Sequence, residues 1–157
     1  MLPYKFTTVK DNYYEFTTTA GTKYACYFLS YENYFNDYKE ISNHIYAFNL
    51  EVLTKGETIA IDPRIGKTLV QIITIFLNSL TNAVVYVCDA SDSKEVFRKR
   101  KFDTWFRQYD DGTIIKIDGY ISFENFEIFN AILIHKDNPK KNRFIEAFND
   151  LNNQDEK

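Results

Sequence analysis

Near residue 60 the apolar residues stop alternating and begin to recur every three or four positions. That change of period dictates most of what the chain can become. Ahead of it, along Ile45–Leu53, Tyr46, Phe48, Leu50 and Val52 face one way while Ala47, Asn49 and Glu51 face the other, which is a strand with one buried face. Beyond it, Ile65, Leu69, Ile72, Ile73, Phe76 and Leu80 fall on one stripe of a helix of about four turns. Asp62-Pro63 opens that helix with a capping acceptor followed by proline at the first helical position, where its missing N–H costs nothing.

The rest of the chain is read in the same terms. Tyr4–Val9 and Tyr13–Thr19 are strands joined by the short polar link Lys10-Asp11-Asn12, and Ala20-Gly21-Thr22 turns into Lys23–Ser30. That third run is apolar on both faces, as a central strand is. Tyr31 to Asn43 has no clean period and reads as a loop with a short helix. Thr54-Lys55-Gly56-Glu57 is a turn, and Thr58–Ile61 a short extended piece. Ala83–Cys88 is wholly apolar, the pattern of a buried interior strand in a parallel pair.

From Asp92 to Glu95 the spacing is that of a capping box. The helix it opens carries Phe102, Trp105, Phe106 and Tyr109 on one side and Lys94, Arg98 and Lys101 on the other. Asp110-Asp111-Gly112 leads into a strand at Thr113–Ile117. Asp118-Gly119 and a polar link then precede the strand Glu127–His135. Asn138-Pro139 caps a last helix with the stripe Phe144, Phe148 and Leu151. The expected fold class is α+β: a mixed, mostly antiparallel sheet of about seven strands with three main helices, in the order ββββ-α-β-α-ββ-α. Residues 1–151 are expected to form a single α+β domain, with 152–157 a frayed tail.

Composition narrows the function classes. The chain holds 14 Phe, 12 Tyr and 1 Trp, and rings of this kind fill β-rich cores or, less often, binding surfaces. A formal net charge of -3 argues against a whole-protein grip on nucleic acid or on an anionic membrane. No apolar run approaches the roughly 20 residues that span a bilayer, and no apolar stretch follows a basic start as in a secretory signal. The expectation is a soluble cytoplasmic protein. Cys26 and Cys88 sit inside apolar runs, the habit of reduced cysteines acting as small hydrophobes.

Three constellations could carry chemistry. The first is Asp62, Arg64, Gly66, Lys67 and Thr68 at a helix N-terminus, where unpaired amides and the dipole favour an anion. It is not a P-loop: the glycine needed five residues before Gly66 is replaced by Ile61. The plainer reading is a capped helix with solvated Arg64 and Lys67. The second is Asp89 and Asp92, with Ser91 and Ser93, at the carboxyl end of an interior strand, where open α/β sheets bind ligands. The plainer reading there is that Asp92 caps the helix and Asp89 satisfies loop amides; no complete metal set is present. The third is Arg98 and Arg100, in the run Arg98-Lys99-Arg100-Lys101, with Trp105. Consecutive helical residues spread around the axis, so this run is chiefly a solvated face, with Arg100 on the flank of the apolar stripe. His44 and His135 form no ligand pair in the sequence, and Asp110-Asp111 before glycine is ordinary turn chemistry.

Several of these segments together resemble a family of small Bacteroidota proteins, domain-of-unknown-function family 6169. They are Ala20-Gly21-Thr22-Lys23-Tyr24, Asp62-Pro63-Arg64 leading to Thr68, Cys88-Asp89-x-x-Asp92 followed by Arg98-x-Arg100-x-Phe102-x-x-Trp105-Phe106, and Asn138-Pro139 with Phe148. The resemblance covers nearly the whole chain and implies no activity. The element order also resembles, more weakly, the acetyl-CoA-dependent N-acetyltransferase fold, whose cofactor loop has the form Arg/Gln-x-x-Gly-x-Gly/Ala. Counted from Arg64, this chain has Lys67 and Leu69 at the two small-residue positions.

Two functions follow as expectations. The first is a non-catalytic binding or regulatory domain that needs no cofactor and recognises a protein or small-molecule ligand through the Asp62 and Asp89 loops. The alternative is a divergent acyl-CoA-dependent, N-acetyltransferase-like enzyme that uses Asp62, Arg64 and Lys67 for the cofactor and a carboxylate such as Asp89 as general base.

Overall fold

In a computed structural model, seven strands form one sheet in the order β1-β2-β3-β4-β5-β7-β6. The structure describes residues 1–58, 61–88, 95–123 and 126–153, and of these the side chains of 95–98, 123 and 126 are left aside. The strands are β1 (Thr7–Lys10), β2 (Tyr13–Thr17), β3 (Lys23–Ser30), β4 (Ile45–Thr54), β5 (Ala83–Cys88), β6 (Ile114–Phe123) and β7 (Phe126–His135). The helices are α1 (Lys39–Ser42), α2 (Pro63–Leu77), α3 (Glu95–Tyr109) and α4 (Lys141–Asn152), with a 3-10 turn at Glu32–Tyr34. No helix of the described residues is long and apolar enough to cross a membrane.

β1 to β4 form an antiparallel meander, and α2 carries the chain across so that β5 runs parallel to β4. The hairpin β6–β7 then folds back so that β7 lies between β5 and β6, antiparallel to both. The parallel seam is short. Only Ile45, Tyr46 and Ala47 pair with Ala83, Val84 and Val85, while β4 runs on to Thr54 and β5 to Cys88. The two halves of the sheet therefore part beyond Ala47 and Val85, on the side where α2 begins.

Period-two alternation puts a different core on each face. Phe16, Cys26, Phe28, Phe48, Val84 and Leu133 pack beneath α2 and α3. Ile45, Ala83, Val85, Ile132 and Ile134 pack against α4 and the short helices, whose contributions are Phe144, Phe148, Phe35 and Ile41. The aromatic excess resides largely in the first cluster: Phe28 stacks on Phe76 at 4.0 Å between centroids, and Tyr86 on Phe102 at 3.6 Å.

Four sequence expectations change on the structure. The segment Tyr4–Phe6 is not strand; β1 starts at Thr7, and Tyr4 turns inward, its N–H donating to Thr68 Oγ1 at 2.8 Å and its ring stacking on Phe16. Asp118-Gly119 does not end β6, which continues to Phe123. Gly119 marks a close approach instead, since a Cβ there would stand 2.2 Å from Asn130 Oδ1 and 2.6 Å from the Asn152 amide. Asn138 does not cap α4: its Oδ1 accepts from Lys140 N–H and its amide donates to the Asn82 carbonyl, one turn before the helix. Leu80 lies beyond the end of α2 and is exposed. The expected strand at 58–61 and the capping box at 92–95 involve positions 59–60 and 89–94, outside the described residues.

Candidate functional site

Over the β2–β4 half of the sheet, between the start of α2 and α3, lies an open cleft of about 870 Å³. Its floor is the α2–α3 face of β3 and β4, represented by Tyr24 and Val52, which pair across the two strands. One wall is the first turn of α2, and the other is the middle and end of α3. The outer rim joins the β2–β3 turn to the stretch after β4: Glu57 N–H donates to the Ala20 carbonyl at 2.8 Å, and Gly56 N–H to Thr22 Oγ1 at 3.1 Å. A side chain at Gly56 would fall 2.2 Å from the Ala20 carbonyl oxygen, so glycine is what lets these segments touch.

Asp62 ends the rim and begins α2. Its Oδ1 accepts from Arg64 N–H at 3.1 Å, capping the helix, while Oδ2 accepts from the Tyr4 hydroxyl at 2.5 Å. The same hydroxyl accepts from Thr19 N–H at 3.2 Å, tying the end of β2 to the α2 cap. Burial, with the Asp62 charge as a second cause, raises the Tyr24 hydroxyl above its usual range. Loss of the cap in Asp62→Ala is expected to cost about 1–2 kcal/mol in urea unfolding, with faster proteolysis of the segment Met1–Phe6 as a second readout.

Arg64 and Lys67 turn away from the cleft. Arg64 lies over the Tyr4 ring at 3.9 Å and its Nε donates to the Leu2 carbonyl at 2.9 Å; Lys67 Nζ donates to the Met1 carbonyl. Thr68 is fully buried, accepting from Tyr4 N–H and donating to the Arg64 carbonyl. These side chains hold the N-terminal segment across the first turns of α2.

On the opposite wall Trp105 packs flat against Gly66, where a Cβ would lie 2.1 Å from the indole Cδ1. The two helices approach so closely here that the position needs a residue without a side chain. Lys101 Nζ lies 5.5 Å from the Trp105 ring, and Arg100, Thr104, Gln108 and Tyr109 continue the wall. Behind it Phe102 and Phe106 are buried, anchoring α3.

Of the sequence candidates, Asp62, Arg100 and Trp105 converge on this cleft, and Gly66 supports it from behind. Arg64, Lys67 and Thr68 do not line it. Lys101, assigned to the solvated side of its helix, lines it as well. Asp89 and Asp92, and the side chain of Arg98, lie outside the described residues. The sequence reading missed Tyr24, Lys55 and Tyr109. A signal existed for two of them: Tyr109 is the last member of the α3 stripe, and Tyr24 is the large aromatic that a strand apolar on both faces must place somewhere.

A second cluster sits on another side of α3, towards β6. Lys99 Nζ bonds Asp103 Oδ2 at 2.5 Å, and Lys116 Nζ bonds Asp103 Oδ1 at 2.6 Å and Asp118. Burial works to raise the Asp103 carboxyl, but the hydrogen bonds from Lys116 and Lys99 together hold it below its ordinary value. The group reads as an ion-pair network fastening α3 to β6. Both cysteines are buried thiols, and burial pushes the Cys26 thiol up, away from nucleophilic use. His44 faces Asn82 and His135 accepts from Asp137 N–H. Among the described residues no three histidine, cysteine or acidic side chains come together as a metal site.

The architecture and the cleft define an α+β protein with a ligand-sized opening between two helices on one face of its mixed sheet. The chain matches a family of unknown function, DUF6169, over residues 61–150, more than half its length, and belongs to that family. No curated protein and no solved structure matches it.

Proposed function

We propose that the protein is a non-catalytic binding domain whose cleft takes a small anionic ligand with a flat, apolar body. The observation that carries this reading is the lining: Tyr24, Trp105 and Tyr109 offer ring surface, and Lys55, Arg100 and Lys101 stand against two acids, Glu57 and Asp62. Asp62 is already engaged by the Tyr4 hydroxyl and the α2 cap, and three cations against two carboxylates give the lining a small positive excess in a chain that is acidic overall. Concave sites of a few hundred Å³ with apolar walls and a few polar groups are the common form of small-ligand pockets. Ile61, 82% exposed at the rim, adds apolar surface that folding alone leaves uncovered.

The test uses Trp105, the single tryptophan of the chain, as its reporter. A panel of anionic aromatic metabolites that includes ATP and acetyl-CoA is titrated while indole emission and melting temperature are followed. A ligand held at about 100 times its dissociation constant should stabilise by about 2.7 kcal/mol. The double variant Arg100→Glu/Lys101→Glu should lose the response while melting as the parent does, because both positions are exposed. A panel without any response sinks the reading.

A second reading is acyl-CoA-dependent acyl transfer, favoured by the start of α2 at the mouth of the cleft. Against it, Arg64 and Lys67 are engaged by the N-terminal segment. Release of free thiol from acetyl-CoA in the presence of amine acceptors would favour it; binding without thiol release would favour the first.

A further inference from the structure

We infer that the protein forms a two-fold homodimer by pairing β6 with β6 of a second copy, in the antiparallel register centred on Ile117. The sheet ends on β6 at one side and on β1 at the other. β1 offers only four residues, whereas β6 offers ten, and among the described residues no strand pairs with its outer edge. A long edge of unpaired N–H and C=O groups is a template for another strand.

The side chains of β6 fit a copy of themselves. With Ile117 on the two-fold axis, Lys116 stands opposite Asp118 of the second copy and Asp118 opposite its Lys116, so that attraction is made twice. Ile115 falls opposite Gly119, the position of the strand with no side chain, and Ile114 falls opposite Tyr120, which is 46% exposed in one chain. Directly opposed pairs share a face, so both charged pairs lie on the α3 side, where Lys116 already meets Asp103. The apolar centre at Ile117 lies on the other side, packed against the cluster around Phe144 and Phe148.

Charge also selects this register over its neighbours. Centring the pair on Lys116 would oppose two lysines, and centring it on Asp118 would oppose two aspartates; like charges directly opposite are destabilising. The result is an isologous contact, which closes at two copies and does not propagate. The cleft is lined by residues of α2, α3 and the β2–β4 part of the chain, so the dimer neither needs nor blocks it and stands independently of the ligand-binding reading.

The test is the mass of the full chain by analytical ultracentrifugation from micromolar to submillimolar concentration. Twice the 18.6 kDa of one chain is expected at the upper end. Asp118→Lys turns both attractive pairs repulsive at an exposed position and should weaken the dimer about tenfold or more. A second measurement reads the register. Under mild oxidation Ile117→Cys should crosslink to itself across the axis, while Ile115→Cys should not, because its opposite residue is Gly119; the native Cys26 and Cys88 are buried and do not interfere. A wild-type chain that stays monomeric over the whole range overturns the inference. So does a dimer that ignores Asp118→Lys and leaves Ile117→Cys uncrosslinked.

Discussion

Phe102→Ala is expected to lower the unfolding free energy by about 3–5 kcal/mol, the range for deleting a fully buried ring. Phe102 is 1% exposed and joins α3 to both β4 and β5. It stacks on Tyr86 of β5 at 3.6 Å and 4°, approaches Phe48 of β4 at 6.0 Å, and meets Phe106 and Trp105 on its own helix at 5.0 and 6.4 Å. Phe48 and Tyr86 lie just past the last β4–β5 pair, where backbone hydrogen bonds no longer hold the two strands. Side-chain packing is therefore what spans the parting of the sheet, and Phe102 is its centre. Collapse of the site is hindered because β5 is fixed on its other side by six pairs with β7. Most of the cavity penalty should thus be felt. Urea unfolding should show a lower midpoint with an unchanged slope. Phe102→Leu, which refills part of the space, should recover part of the loss. A loss below about 1 kcal/mol for the alanine variant would mean that the ring does not bridge the strands.

The strands and helices that were readable in advance are those whose own side chains decide their burial. The stripe Leu69, Ile72, Ile73 and Phe76 gave α2, and the unbroken apolar run gave β5, because in each case one surface had to be hidden from water whatever lay opposite. The errors arose where a distant residue decides. Gly119 looks like a turn until Asn152, from the far end of the chain, is seen to occupy the space a side chain would need. Tyr4 looks like a strand residue until Thr68 and Asp62 claim its N–H and its hydroxyl. The same cause separates the charged candidates. Arg64, Lys67 and Arg100 are equivalent in a sequence, each a cation on a helix, yet the first two meet the N-terminal segment and the third meets the cleft. Helical periodicity assigns a side, and only tertiary structure says what stands on that side.

The cleft depends on a second long-range contact, and the largest test of it is Gly66→Val. In an isolated helix, replacing glycine would be neutral or favourable by a few tenths of a kcal/mol to about 1 kcal/mol, because glycine loses the most backbone entropy on folding. Here the sign should reverse. A Cβ at Gly66 would sit 2.1 Å from Cδ1 and 2.3 Å from Nε1 of Trp105, well inside contact distance, and valine adds two more carbons. Either α2 and α3 separate or the indole leaves its place. The indole is the softer of the two, because its other side faces the open cleft. The expected net cost is about 2–3 kcal/mol, an overpacking penalty only partly offset by the gain in backbone entropy. Since Trp105 is the only tryptophan, its emission should shift to longer wavelength as the ring moves into water. A ligand that responds to the parent protein should bind the variant more weakly, because the displaced ring fills the space between Tyr24 and Tyr109. Gly66→Ala should show the same changes in smaller measure. A valine variant with parental stability and parental emission would show that the two helices do not meet at Gly66, and the wall assigned to Trp105 would then have to be placed elsewhere.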